Sequence, residues 1–334
     1  MYYRLSILAI LLCCLGCRKK GCNLPDNIAK VPVNVKVERL EKSFFAADSQ
    51  SDITVFLQEH PLFAEKYLQR KQYPSDSLLL NPLYELATNP ALDTLETQAE
   101  QTFANMSHEE QELETAFKVI KYNYPHFYVP QVKTFVTGLG SMGSDLFVSD
   151  SLLVFGLDYF IGPKAKYRPQ VYDYILKRYQ REAMVPATML LLSNRFNKIG
   201  NQDRNLLGEM ISAGKAYYFV QAVLPCAPDS VIIGYSKQQI ADTKYNEGRI
   251  WAHFIEKSLL YEKSPFLMNK YIGERPNTPE IDAKAPGRIG AWVGWQIVRQ
   301  YMERSPDITL PQLMAETDYQ KIFSASKYKP ERRR

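Results

Sequence analysis

Between residues 37 and 68 the chain reads VERLEKSFFAADSQSDITVFLQEHPLFAEKYL, with apolar positions recurring every three to four residues. That period predicts amphipathic helices, broken at 48–52 and again at Pro61. Phe44, Phe45, Phe56, Leu57, Phe63 and Tyr67 form the expected buried face, and His60, ahead of a proline, reads as a helix-end residue. The helical pattern continues from 75 to 122, where Ser107 and Glu110 have the spacing of a capping box. Upstream, VPVNVKV at 31–37 alternates with period two and predicts a short strand, placed at a sheet edge by Pro32. After Pro130 the period changes. QVKTFVTGLG and DLFVSDSLLVFGLDYF predict two or three strands, antiparallel neighbours, separated by the glycine-rich stretch 138–143. This stretch is a turn: it lacks the Gly-Lys-Ser/Thr of a phosphate-binding loop and does not lead into a helix as a dinucleotide fingerprint does.

Residues 172–196 predict one long helix, 197–205 a polar turn, and 206–224 a second helix facing the first. Pro186 should kink the first helix or end its first half about a turn earlier. A short loop and a helix around Trp251 follow, with His253 on an apolar face as a core or hydrogen-bonded residue. Pro286 opens a further helix, in which Gly290 and Gly294 lie four apart on one face. They permit close approach to another backbone, the long helix at 172–196 being the candidate. Trp292 and Trp295 flank that face, as core residues or as the lining of a groove. Residues 310–323 predict a last amphipathic helix. The fold class is α+β, predominantly helical, with a small sheet and long paired helices. A helical part at 31–127 and a core at 128–330 are expected to form one continuous unit.

The 334 residues are 46% hydrophobic and 23% charged, the balance of an ordinary globular protein. The formal net charge of +5 comes from interleaved acidic and basic residues, which gives no basic face for nucleic acid, and Arg332, Arg333 and Arg334 read as a frayed tail. At the N-terminus, Arg4 precedes an apolar run at 5–12, and Leu15-Gly16 leads into Cys17. The run is too short for a membrane-spanning helix. The segment 1–16 resembles a bacterial lipoprotein signal, with Cys17 as the lipidated residue and 17–30 as a polar spacer. Arg18, Lys19 and Lys20 behind the lipid favour a periplasm-facing position. Export would also allow a disulfide between Cys22 and Cys226, with two separate thiols as the alternative.

The paired helices at 172–224 resemble those on which gluzincin metallopeptidases keep their zinc, with H-E-x-x-H on the first and a glutamate on the second. Here the first segment is Arg181-Glu182-Ala183-Met184-Val185, and ISAGKAYYF puts Ala213 where the ligand glutamate would stand. Glu182 occupies the general-base position, but Arg181 and Val185 replace both histidines. The histidines at 60, 108, 126 and 253 form no i,i+4 pair, and no G-x-S-x-G elbow is present. Neither a metal site nor a cofactor is expected, and the chain reads as a zincin-like scaffold without peptidase chemistry.

Taken in order, the Cys17 start, VERLEKSFF, LLVFGLDYFIGP, EMISAGKAYYF, PGRIGAWVGWQIVRQYM and SASKYKP resemble the gliding-motility lipoprotein GldB family of the Bacteroidetes. That resemblance implies a lipid-anchored envelope protein linked to gliding and to type IX secretion. Its expected partners are the membrane, through the lipid, and other envelope motility or secretion proteins. The expected activity is non-catalytic, as a scaffold or binding module, with Glu182, Lys215, Arg288, Trp292 and Trp295 as candidate cleft residues. The alternative is a metal-independent hydrolase, which requires Glu182 to be buried in a pocket with a raised pKa.

Overall fold

A computed structural model describes residues 23–200 and 204–331. Cys17 and Cys22 lie outside these residues; Cys226 is within them and exposed. The expected mainly helical α+β architecture is present, with one small mixed sheet. After a short α1 (Asp26–Ala29) the chain forms β1 (Val37–Arg39), then α2 (Leu40–Phe45), α3 (Gln50–Glu59) and α4 (Pro61–Lys66). The predicted breaks have local causes. Ser49 and Asp52 make a reciprocal capping box that starts α3, and His60 ends α3 and precedes Pro61 at the first position of α4. Phe44, Phe56, Leu57, Phe63 and Tyr67 are buried as expected, and Phe45 packs at their margin.

Helices α5 (Ser77–Ala87), α6 (Pro90–Thr102) and α7 (Ser107–Asn123) follow. The capping box expected at Ser107 does not form: Met106 precedes the helix without a side-chain cap. Glu110 instead accepts a hydrogen bond from the Val37 backbone N–H at 2.8 Å. A tertiary contact to the edge strand has taken the carboxylate that local spacing assigned to the cap.

Strands β2 (Gln131–Phe135), β3 (Leu146–Val148) and β4 (Leu152–Gly156) complete a sheet of order β1-β2-β4-β3. Its strands are not all antiparallel neighbours as expected. Only the β3–β4 hairpin is antiparallel, and β1–β2 and β2–β4 are parallel. The reason lies in the stretch after β2, which crosses over β4 before β3 begins, so β2 and β4 run the same way. Asp158 fixes this stretch, accepting from Thr137 N (2.9 Å), Thr137 Oγ1 (3.0 Å) and Leu139 N (2.6 Å). Positive φ angles at Gly138, Gly140 and Gly143 make it the turn that was predicted. The sheet is covered on both faces. Phe135, Leu152 and Val154 pack on the α2–α5 layer, while Val132, Leu153 and Phe155 face the larger helical body.

The long helix predicted at 172–196 is not continuous. It is a single turn, α8 (Asp173–Leu176), an irregular link with a 3-10 turn at Arg181–Ala183, and α9 (Met184–Ser193). Pro186 lies in the first turn of α9, where its missing N–H costs no intrahelical bond. It marks a helix start, and the first half ends at Leu176, well before the single turn ahead of the proline that was expected. The second helix, α10 (Leu206–Val223), is continuous and capped by Asn205. The region around Trp251 divides into α11 (Asp229–Ile233), α12 (Lys237–Tyr245) and α13 (Glu247–Glu256), followed by α14 (Pro265–Ile272) and α15 (Ile289–Arg304). The last predicted helix is two, α16 (Leu310–Ala315) and α17 (Tyr319–Ser326), because Asp318 caps a new start.

Helices α10 and α15 form the centre of the body. A Cβ on Gly294 would lie 1.7 Å from the Met210 carbonyl oxygen, and one on Gly214 would lie 2.3 Å from the Gly294 oxygen. The close approach expected of Gly294 is therefore real, but its partner is α10, the second helix of the predicted pair. Gly290 faces Tyr271 and Ile272 of α14. Trp292 and Trp295 are fully buried core residues and line no groove. Trp295 donates from its indole to Gln221 at 3.1 Å, and Arg299 lies 3.8 Å over its ring while pairing with Asp229 at 2.6 Å. Among the described residues no helix is long and apolar enough to cross a membrane.

Candidate functional site

The break in the predicted helix creates the main concavity. The irregular 174–183 segment, the start of α9, the α11–α12 junction and the loops at 275–276 and 286–288 enclose a cleft of about 970 Å³. The first turns of α7 close one side with His108 and Glu112. Arg181 holds the 3-10 turn against α7. Its guanidinium pairs with the buried Glu109 at 2.6 Å and donates to the Thr102 and Asn105 carbonyls.

On the opposite side, two arginines share one carboxylate. Arg178 binds Glu274 through two parallel bonds of 2.7 and 2.6 Å, and Arg288 Nε stands 3.7 Å from the same group. Burial alone would raise the Glu274 carboxyl, but the Arg178 hydrogen bonds and the Arg288 charge outweigh it and hold the carboxyl low. Arg288 also donates to Tyr217 Oη at 2.8 Å and to the Ile233 carbonyl at 2.5 Å. Burial pushes the Tyr235 hydroxyl up; it stays protonated and donates to the Gly287 carbonyl at 2.6 Å.

Backbone geometry sets this arrangement. Gly234 ends α11 in the left-handed region (φ +71°), and a Cβ there would stand 2.7 Å from Arg178 Cδ. Thr278 donates to the Pro286 carbonyl at 2.9 Å and so closes the 278–286 loop, which Arg275 and Arg288 flank. Gly287 lets that loop meet itself, since a Cβ would fall 1.8 Å from the Arg275 oxygen. Arg288 holds φ +58°, a conformation uncommon for a residue with a side chain.

The sequence-predicted residues divide. Glu182 and Arg288 do line this cleft, Arg288 at its base and Glu182 exposed at its rim. Glu182 thus lacks the burial that the hydrolase alternative requires of it. Lys215 lies elsewhere, in a recess of about 30 Å³ between α10 and the start of α17. There its ammonium donates to the Lys198 and Glu316 carbonyls at 2.9 and 2.7 Å, and burial pushes it down to about 8. Ala213 packs as a partly buried residue on the core. Among the described residues no three His, Cys, Asp or Glu side chains are grouped to hold a metal ion. Sequence reasoning missed Arg178, Tyr235, Glu274 and Arg275, and it noted His108 only as a histidine without an i,i+4 partner, although His108 and Glu112 both face the cleft. No motif marks them: Arg178 and Glu274 are 96 residues apart.

Fold and site together define a mostly helical α+β protein whose centre is a glycine-mediated helix pair and whose main cleft, among the described residues, combines charged side chains with apolar surface. The family model of the gliding motility protein GldB matches residues 21–330, and the chain belongs to that family. Neither the curated proteins nor the solved structures yielded a match.

Proposed function

We propose that this protein is a non-catalytic, lipid-anchored component of the cell envelope that holds a partner of the motility or type IX secretion machinery in its main cleft. The observation that carries this reading is the cleft itself. It is built by chain segments far apart in sequence, held by the Arg178–Glu274 and Arg181–Glu109 ion pairs and lined by charged groups, and Glu182, the acid on which the hydrolase alternative rests, is exposed; the lining carboxyl that burial does raise, Glu112, stands 3.8 Å from His108 on the α7 wall. In this reading the scaffold descends from a zincin-like peptidase whose ligand positions became Arg181, Val185 and Ala213. The guanidinium of Arg181 has become a structural tether, and its Glu109 partner is buried.

Complementation of a gliding host that lacks its own family member separates this reading from the hydrolase alternative. Ser230→Trp, which fills the cleft from α11, is expected to abolish gliding while leaving protein level unchanged. Glu182→Gln is expected to retain it, since an exposed rim carboxylate serves no chemistry here. Loss of gliding with Glu182→Gln alongside normal gliding with Ser230→Trp would reverse the assignment.

A further inference from the structure

The charge of the cleft is not balanced. Its lining carries Lys177, Arg178, Lys237, Arg275 and Arg288 against the carboxylates of Glu112 and Glu182. At the base, Glu274 serves both Arg178 and Arg288, so two guanidinium groups face one carboxylate. Arg178 Nε and Arg288 Nε have no hydrogen-bond acceptor in the protein. Arg275 is held by the Lys270 carbonyl and by Glu280, a carboxylate it shares with Lys270. Removing cations from water without matching anions is unfavourable, and such a group is stabilised by an incoming anion. Guanidinium forks match a carboxylate in two-point geometry.

The two signs are also separated in space. Glu112 and Glu182 belong to the wall made by α7 and the 3-10 turn, which Arg181 ties together. Arg178, Arg275 and Arg288 belong to the opposite base, around Glu274 and Glu280. Pro186, Pro228, Pro276 and Pro286 supply rigid apolar surface between them. A compact phosphate would call for cations converging on one point. Cations spread along a cleft of about 970 Å³ suit an extended ligand with more than one acidic group.

We infer that the cleft binds an acidic peptide segment of its partner, with a carboxylate seated at the Arg178–Arg275–Arg288 base. This inference rests on the cleft being a partner site. The probe is dye-labelled hexaglutamate, titrated by fluorescence anisotropy into the full chain in detergent, with hexalysine as the opposite-charge control. Saturable binding of hexaglutamate at low salt is expected, weakening at least tenfold by 300 mM sodium chloride. Lys237→Glu and Arg275→Gln should each weaken it about tenfold or more. The double variant Glu112→Gln/Glu182→Gln should tighten it, and equal melting temperatures show that each variant is folded. Absence of saturable binding, or binding indifferent to all these substitutions, would overturn the inference. So would displacement by millimolar inorganic phosphate but not by equal acetate, which would assign the base to a phosphate group.

A crosslinking measurement tells the two failures apart. With a compact diazirine side chain at position 230, much smaller than the tryptophan that fills the cleft, Lys237→Glu and Arg275→Gln are expected to suppress adducts formed in cells. Adducts undiminished by these changes would leave the cleft as a partner site and exclude an acidic ligand. No adduct from position 230 in the unaltered cleft would remove the cleft reading itself.

Discussion

At the scale of single residues, the side chains that sequence motifs single out and those that the structure gives a task are largely different. Glu182 stands in the general-base position of a peptidase motif, yet it is exposed at a rim. Arg181, read as a lost histidine, is instead a tether whose guanidinium contacts Glu109 and two carbonyls. Lys215 was expected in the cleft as a candidate polar residue. It is a buried clasp, joining the carbonyl of Lys198, after α9, to that of Glu316, between α16 and α17. Burial depresses its pKa to about 8, so the unfolded chain holds a proton there that the folded chain has released between about pH 8 and 10.5. Folding stability therefore rises with pH across that window through this group. The neutral amine still has two N–H donors for its two carbonyls. Against a Lys215→Met variant, the wild type is expected to gain about 2 kcal/mol between pH 8 and pH 10 in denaturant unfolding. A flat or falling difference would mean that the ammonium is not desolvated.

At the scale of elements, the pattern of apolar residues located most helices and strands β2–β4, whereas β1 forms at Val37–Arg39, at the end of the alternating 31–37 stretch and inside the segment that predicted a helix; tertiary contacts decided where elements end. The α3 and α4 boundaries were legible because Ser49, Asp52 and Pro61 act within a few residues of themselves. The break between α8 and α9 was legible only as a disturbance at Pro186, since the apolar content of YDYILKRY suits a helix as well as a cleft wall. Likewise, two parallel strand pairs were hidden because β2, β3 and β4 are close in sequence and a crossover leaves no local signal. Gly294 was recognisable as a contact point, and its partner became known only from the packing. Its role predicts a graded response. Gly294→Ala and Gly214→Ala should each destabilise by about 3 kcal/mol or more despite the roughly 1 kcal/mol of helix propensity that alanine adds, because backbone atoms block the new methyl. Gly208→Ala meets side-chain atoms and no backbone, the edge of the Tyr319 ring at 3.3 Å and Asn205 Oδ1 at 3.6 Å, and should change stability by less than about 1 kcal/mol. Thermal or urea unfolding of the three variants checks the order, and equal effects would exclude backbone contact as the cause.

At the scale of the whole molecule, a helical body and an N-terminal helical layer enclose the sheet, and the cleft lies on the body, where the chain departs from the helix that its sequence predicts. Family membership was legible from dispersed motifs and is matched by a model spanning residues 21–330. The cleft was not legible, because its base joins Arg178 to Glu274 across 96 residues and takes Arg288 from a left-handed turn. In the proposed function this cleft is where an envelope partner sits. Photo-crosslinking in living cells, with the compact diazirine side chain at position 230 inside the cleft or at position 50 on α3 outside it, shows whether the partner sits there. A discrete adduct is expected from position 230, absent from position 50 and lost when Arg275→Gln and Lys237→Glu are combined. Adducts of equal yield from both positions, or from position 50 alone, would contradict it.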